Sequence, residues 1–263
     1  MRFRSREGDK LSGMARPQAG TSPRVAESLD ETFWRAISGI AQPSTREKFL
    51  YLTIEEFGTL GPGGFRHKEV VDKLGYTMAM INHYFGSRGG LIAEAASTVY
   101  DLYVDAMARG VAEAPHDPQE RLRAWMTTQV QFALERPGWM VVLNYPDLTL
   151  ENPVEFNELF RARMTLGFEL NLSRLAQLIL DVKTGSVTEI ELTEDNFDRA
   201  RYLGDPRLVE LTASVAMSTL GSAVWGAGSH APSRSTAEAL ALRDHVMATH
   251  HSNVIRFIEG EEL

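Results

Sequence analysis

KEVVDKLGYTMAMINHYFGSRGGLI, the run from Lys68 to Ile92, spells two short helices and the start of a third. Val70, Val71 and Leu74 fall on one face of the first, at the spacing of a buried stripe. Gly75 stands where a helix C-terminus takes a left-handed residue, a conformation glycine adopts without steric cost. After Tyr76, Thr77 reads as an N-cap whose hydroxyl can bond an orphan amide of the next turn. The second helix, Met78 to Phe85, is too short to fold alone. Ile81 and Phe85, four apart, are expected to point inward. Met78, Ala79, Asn82 and His83 are then left facing out.

Two helices across a tight glycine turn, the second with an exposed face of amide, imidazole and small groups, describe a helix-turn-helix. Asparagine can pair with an adenine edge, and alanine or methionine can touch a thymine methyl. Any helical hairpin can carry the same Gly-x-Thr spacing, so the flanks decide. Thr45-Arg46-Glu47-Lys48, with Phe49, Leu50, Thr53, Ile54, Phe57 and Gly61, opens the stretch. Val70, Val71, Leu74, Gly75, Tyr76 and Thr77 follow, then Ile81, His83, Tyr84 and Phe85-Gly86-Ser87-Arg88.

This series from Thr45 to Ile92, about a fifth of the chain, resembles the DNA-binding domain of the tetracycline-repressor (TetR) family. The chain departs from the family pattern at Phe65 and Arg66, where a hydroxyl residue usually caps the second helix. Asn82 replaces a common tyrosine, Met78 a common basic residue and Gly89 a common acidic one. The resemblance implies an all-α protein: a three-helix head followed by a helical ligand-binding and dimerisation bundle. It further implies a homodimer that binds a palindromic double-stranded DNA operator, represses transcription, and is released by a small effector. No cofactor is implied.

If the head binds DNA, its contacts divide in two. Arg46, Arg66, Lys68, Thr77, Tyr84 and Arg88 are candidates for phosphate, where charge gives affinity without sequence. Met78, Ala79, Asn82 and His83 are candidates for base edges. Tyr84 has a second reading, closing the apolar core of the head, and ordinary surface duty is the rival for Arg66 and Lys68.

The 263 residues carry a formal charge of −8, which at first argues against nucleic acid, but the charge is unevenly spread. Residues 1–92 hold 13 Lys and Arg against 10 Asp and Glu, and residues 93–263 hold 14 against 25. A locally basic head on an acidic body is compatible with a DNA reader. There are no cysteines, hence no disulfide scaffold and no thiolate metal site. No apolar run approaches the ~20 residues of a membrane span, and no secretory h-region follows the first arginines, so a soluble cytoplasmic protein is expected.

Residues 1–24 mix six Arg and Lys with Gly, Ser and Pro and read as a disordered basic arm, which adds phosphate contacts or is simply a tail. Residues 25–43 are expected to hold an extra helix: Leu29, Phe33, Trp34, Ile37 and Ile40 share a face, and Pro43 ends it. Ser44 and Glu47 form a capping box opening the head, residues 44–92. The glycines from Gly58 to Gly64 break its first helix. They form no phosphate cradle, because no GK[ST] follows.

Residues 93–263 form the body. A long helix from Leu91 to Pro115 leads from head to body, Pro118 opens another, and Trp139 to Leu150 is short and apolar. Pro153 opens a long helix through Phe160 to Leu180. Lys183-Thr184-Gly185-Ser186 resembles a hairpin turn, and Val187, Ile190 and Leu192 are β-formers, so residues 181–205 read as a small hairpin or extended insert followed by a partial helix. Pro206 and Ser235 open the last two helices, which by resemblance would meet their copies in a four-helix dimer interface.

Trp125, Phe132, Trp139, Tyr145, Phe160, Met164 and Phe168 are candidates for a pocket suited to an apolar or amphipathic effector, with plain core as the rival reading. His245, His250 and His251 lack metal-ligand spacing, and no catalytic motif is present, so neither a metal nor an enzyme is expected. Two rivals remain open: a DNA-binding architectural or cell-division protein on the same fold, and a helical ligand-binding protein or enzyme that has lost DNA binding.

Overall fold

A computed structural model describes residues 29–144, 147, 150, 152–189, 196, 198–227 and 236–260, leaving out the side chains of 144, 162–166, 223–227 and 236–243. Every regular element among them is an α-helix, in keeping with the all-α expectation. The chain divides into two units at the boundary between Gln42 and Pro43.

In the first unit, α1 spans Glu31–Ser38, capped by the Asp30 side chain, which accepts from the Phe33 amide, and ended by Gly39 in the left-handed region. The helix is thus shorter than the periodicity suggested and stops well before Pro43. Its expected face holds, with Trp34 buried and its indole N–H donating to the Leu29 carbonyl at 3.1 Å. The basic arm, residues 1–24, lies outside the described residues.

The second unit opens with α2, Thr45–Gly64, on a reciprocal capping box between Ser44 and Glu47. The glycine run does break this helix, at Gly61 (φ 65°, ψ 177°), after which Pro62 opens a last turn. Then come α3 (His67–Leu74), α4 (Met78–Phe85) and the 25-residue α5, Arg88–Ala112. The core of this part is Phe49, Leu52, Phe57, Val70, Val71, Ile81 and Leu91. They come from α2, α3, α4 and the start of α5, so two eight-residue helices that are marginal alone close with their longer neighbours around one apolar centre.

The body is built from α5, α6 (Pro118–Glu135), α8 (Pro153–Thr184) and α10 (Pro206–Ala227), with α11 (Thr236–Gly260) laid against α10. Between α6 and α8 lies α7, Pro137–Asn144, packed on α2. Pro137-Gly138 therefore does more than stop α6. A Cβ at Gly138 would sit 2.2 Å from the Phe57 carbonyl oxygen, so only glycine lets these two backbones approach. Next to it Trp139 is wholly buried, stacked on Phe57 at 4.4 Å, with its indole N–H donating to the Ile54 carbonyl at 2.7 Å.

The expected hairpin turn is instead the end of α8. Lys183 and Thr184 are its last residues, and Gly185 (φ 65°) is its left-handed cap. Ser186–Glu189 carry no strand, and residues 190–195 lie outside the described residues. The buried Asp181 decides this: its two oxygens accept from the Thr188 amide (3.0 Å) and hydroxyl (2.6 Å), folding the chain back on α8. The partial helix expected beyond is α9, Arg199–Leu203.

Candidate nucleic-acid interface

The turn between α3 and α4 follows from Gly75. At φ 73° it lets the Tyr76 amide reach the Val71 carbonyl (2.9 Å), satisfying carbonyls that the helix end would orphan. The chain then leaves at an angle that puts Ile81 at the centre of the head, fully buried. With Ile81 inward, Ala79, Asn82 and His83 are exposed along the opposite side of α4. Met78 is half-buried rather than outward, and Phe85 is half-buried rather than core. Thr77 does occupy the N-cap position, but its hydroxyl makes no capping bond, contrary to expectation. The exposed Thr77 side chain therefore does not cap its own helix.

The DNA-contact candidates separate. Arg66, Lys68, Thr77, Met78 and Arg88 line one cleft between the first turns of α3, α4 and α5 on one side and α8 on the other. Arg66 is exposed and donates to the Gly63 and Phe65 carbonyls at 3.0 and 2.7 Å, and Lys68 pairs with Asp72 one turn on. Arg88 is exposed at the first turn of α5. Arg46 stands apart: its guanidinium pairs with the half-buried Glu94 at 2.6 Å and lies 5.1 Å over the Phe85 ring, tying α2 to α4 and α5. Tyr84 is half-buried against Phe49 (6.4 Å) and His83 (4.9 Å), so it takes part in the head core and still reaches its edge.

Two curated proteins, each described as an HTH-type transcriptional regulator, match part of the chain. BetI 1 of Chromohalobacter salexigens is 27% identical over 115 residues, 41% of this chain and 57% of that protein. BetI of Stenotrophomonas maltophilia is 29% identical over 83 residues, 32% and 42%. Over these stretches the chain is similar to helix-turn-helix transcriptional regulators. It spans about half the length of the curated relatives it matches, and no family model matches it.

Among solved structures, a Rhodococcus sp. RHA1 protein described as of unknown function superimposes with a TM-score of 0.56 at 15% identity, over 82% of this chain and 95% of that one. The likeness is one of fold. A TetR family regulator, PfmR of Thermus thermophilus, aligns with a TM-score of 0.47 at 18% identity, over 80% of this chain and 97% of that one.

In the body, the aromatic candidates do not gather round one pocket. Trp125 lines a cavity of about 380 Å³ between α5, α6 and α8. Phe132 is buried beside Tyr103 (5.3 Å), Phe160 stacks on Phe156 (5.1 Å), and Trp139 belongs to the joint with α2. Phe168 is 54% exposed. Tyr145 and the side chain of Met164 lie outside the described residues. The cavity wall adds Arg121, Asn171, Arg174, Gln177 and Thr188, which the sequence reading passed over. Read singly, Arg121, Asn171, Arg174 and Gln177 are ordinary polar helix residues and Thr188 a loop residue; the packing of α6 on α8 and the return of the chain at Asp181 bring them to one wall. Arg121 reaches the Thr188 carbonyl at 3.2 Å and Asp181 at 3.7 Å, closing one end.

Of the histidines, His250 shares a hydrogen bond with the Thr219 hydroxyl at 3.2 Å, and His251 is buried. Burial, with His250 and Arg123 nearby, pushes the His251 pKa down to about 4, so its ring is neutral.

Proposed function

We propose that this chain is a transcriptional repressor that binds a palindromic DNA operator as a homodimer and is released by a small effector. The exposed face of α4, with Ala79, Asn82 and His83 held outward by the buried Ile81, carries the reading. Such a face offers an amide for an adenine edge and apolar groups for thymine methyls, each good bidentate pair contributing ~1–3 kcal/mol of discrimination. Residues 44–92 form the head in this reading and residues 93–263 the sensing and dimerising body. Arg66, Lys68, Thr77 and Arg88 supply phosphate contacts, with Arg46 and Tyr84 at the margin. The arm, residues 1–24, adds charge.

The cavity wall, which mixes polar side chains such as Asn171 and Gln177 with apolar ones such as Met107 and Val111, suits a small amphipathic effector. Exposed Met217 on α10 and Phe257 on α11 support the last two helices as the dimer interface. No helix among the described residues is long and apolar enough to cross a membrane, and a DNA-binding role places the protein in the cytoplasm.

Selection of bound fragments from the source genome at two salt concentrations tests the proposal. A few inverted-repeat sites whose occupancy falls with salt support it. Many scattered sites without an inverted repeat would replace it with an architectural role, and no enrichment would remove DNA from the account.

A further inference from the structure

The α8 helix opens on Asn152-Pro153-Val154-Glu155, where a carboxylate three residues after the cap ordinarily bends back to its own cap amide, as Glu47 does to Ser44. Glu155 does something else. One oxygen accepts from the Ser87 hydroxyl, and the other accepts from the Asn152 side-chain amide at 3.0 Å. Ser87 is the N-cap of α5, and its oxygen at the same time accepts from the Gly90 amide at 2.8 Å. One carboxylate thus stands against the N-terminal ends of two helices, each carrying partial positive charge.

Room for it comes from Gly89. A Cβ there would lie 2.5 Å from a Glu155 oxygen and 2.7 Å from its carboxyl carbon, so the body's carboxylate fills the space a side chain at 89 would need. Only Gly86 separates Phe85, the last residue of α4, from Ser87. Whatever holds Ser87 therefore sets where α4 ends.

We propose that Glu155 is a positioning residue, a latch from the body that fixes the first turn of α5 and, through it, the outward face of α4. Its consequence for DNA rests on the reading proposed above, but the latch itself does not. Without Glu155 two positive helix ends face each other, Ser87 loses its acceptor, and the link from α4 to α5 loosens. The head keeps its own core, because Ile81, Phe49 and Val70 are buried independently of the latch.

The test compares Glu155→Ala, Glu155→Gln, Gly89→Ala and the double variant Gly89→Ala/Glu155→Ala in the full chain, by amide hydrogen exchange of the free protein. Glu155→Ala should speed exchange across residues 87–92 by about tenfold, a local opening well short of global unfolding. Gly89→Ala should do likewise by pushing the carboxylate out. It should add nothing once Glu155 is alanine, where it becomes a helix-favouring change. Glu155→Gln keeps an acceptor for Ser87 and should fall between.

Unchanged exchange in Glu155→Ala, or additive effects in the double variant, would overturn the latch. A second readout uses a genomic fragment selected by the parent chain and a random duplex of equal length. Glu155→Ala should weaken the first about tenfold more than the second, since positioning affects base readout and not phosphate charge. Equal weakening would overturn the coupling to α4. A parent that binds neither duplex, with exchange behaving as stated, would leave the latch standing and remove the DNA reading.

Discussion

Asn82 and His83 project from α4 with nothing of the head folded over them, and Arg88 stands at the first turn of α5. Their chemistry separates their expected effects. Asn82→Ala or His83→Ala should weaken binding to a selected operator by ~1–3 kcal/mol while leaving binding to random duplex nearly unchanged. Arg88→Ala should weaken both alike and reduce the salt slope of binding by about 1. Titrations at three salt concentrations check this, and equal effects of all three substitutions on both duplexes would end the assignment of α4 as the reading helix. At the opposite end of the chain, His251 is 7% exposed and its pKa is pushed down to about 4 by burial. In the unfolded chain the same ring takes a proton near its ordinary value of about 6.5. Between those values the unfolded state binds more protons, so stability is full above about pH 6.5 and falls as the pH drops toward 4. Denaturant midpoints measured from pH 7.5 to 4.5 should show this loss, and His251→Gln should flatten it.

At the scale of elements, α2 and α7 are joined by a contact neither makes alone. Trp139 stacks on Phe57 and hands its N–H to a carbonyl inside α2, and Gly138 brings the backbones together. Trp139→Ala should destabilise the chain by ~3–5 kcal/mol, the range for a large buried aromatic. Gly138→Ala should also destabilise, because a Cβ 2.2 Å from the Phe57 carbonyl forces backbone to move. Gly63→Ala is the matching control, since a Cβ there meets nothing within 4 Å. Thermal melts of the three variants decide the matter, and a Gly138→Ala melt as high as that of Gly63→Ala would refute the close approach. The capping box of α2 behaves on the same scale. Hydrogen bonds from Ser44 hold the Glu47 carboxyl below its usual range, so the cap's contribution is full above that range and is lost as pH falls below it, through the lowered value. Ser44→Ala should cost about 1 kcal/mol at neutral pH.

For the molecule as a whole, the proposed repressor needs two heads whose reading helices sit ~34–36 Å apart to meet successive major grooves. The protomer presents apolar Met217 (57% exposed) on α10 and Phe257 (49% exposed) on α11. Paired copies of these helices would cover such side chains, and a charge placed there would resist being covered. Met217→Glu with Phe257→Glu should shift the protein to monomer by sedimentation velocity. Operator affinity should then drop far more than affinity for random duplex, because one head alone keeps only half the site. A parent chain that sediments as a monomer would remove the dimer from the account.

The head was legible in sequence because its information is local. Apolar residues at helical spacing, a glycine at a left-handed turn and a Ser-x-x-Glu box each act within a few residues, so α2, α3 and α4 and the buried Ile81 could be read directly. The helix openings at Pro118, Pro153 and Pro206 were legible for the same reason. Lys183–Ser186 misled because the local pattern of a turn is shared by a hairpin and a helix cap. The choice was made by Asp181, whose buried carboxylate takes both donors of Thr188. Trp139, Phe160 and Phe168 looked alike as aromatics on helices, yet one is locked into α2, one stacks on Phe156, and one is exposed. The sequence by itself determined most of the helices, the Ser44–Glu47 cap, the Gly75 turn and the outward Ala79, Asn82 and His83 of α4, all consequences of short-range sterics and amphipathic spacing. Only the tertiary structure decided which polar residues turn toward a cavity and which carboxylate reaches across to α5, because both depend on contacts between residues far apart in the chain.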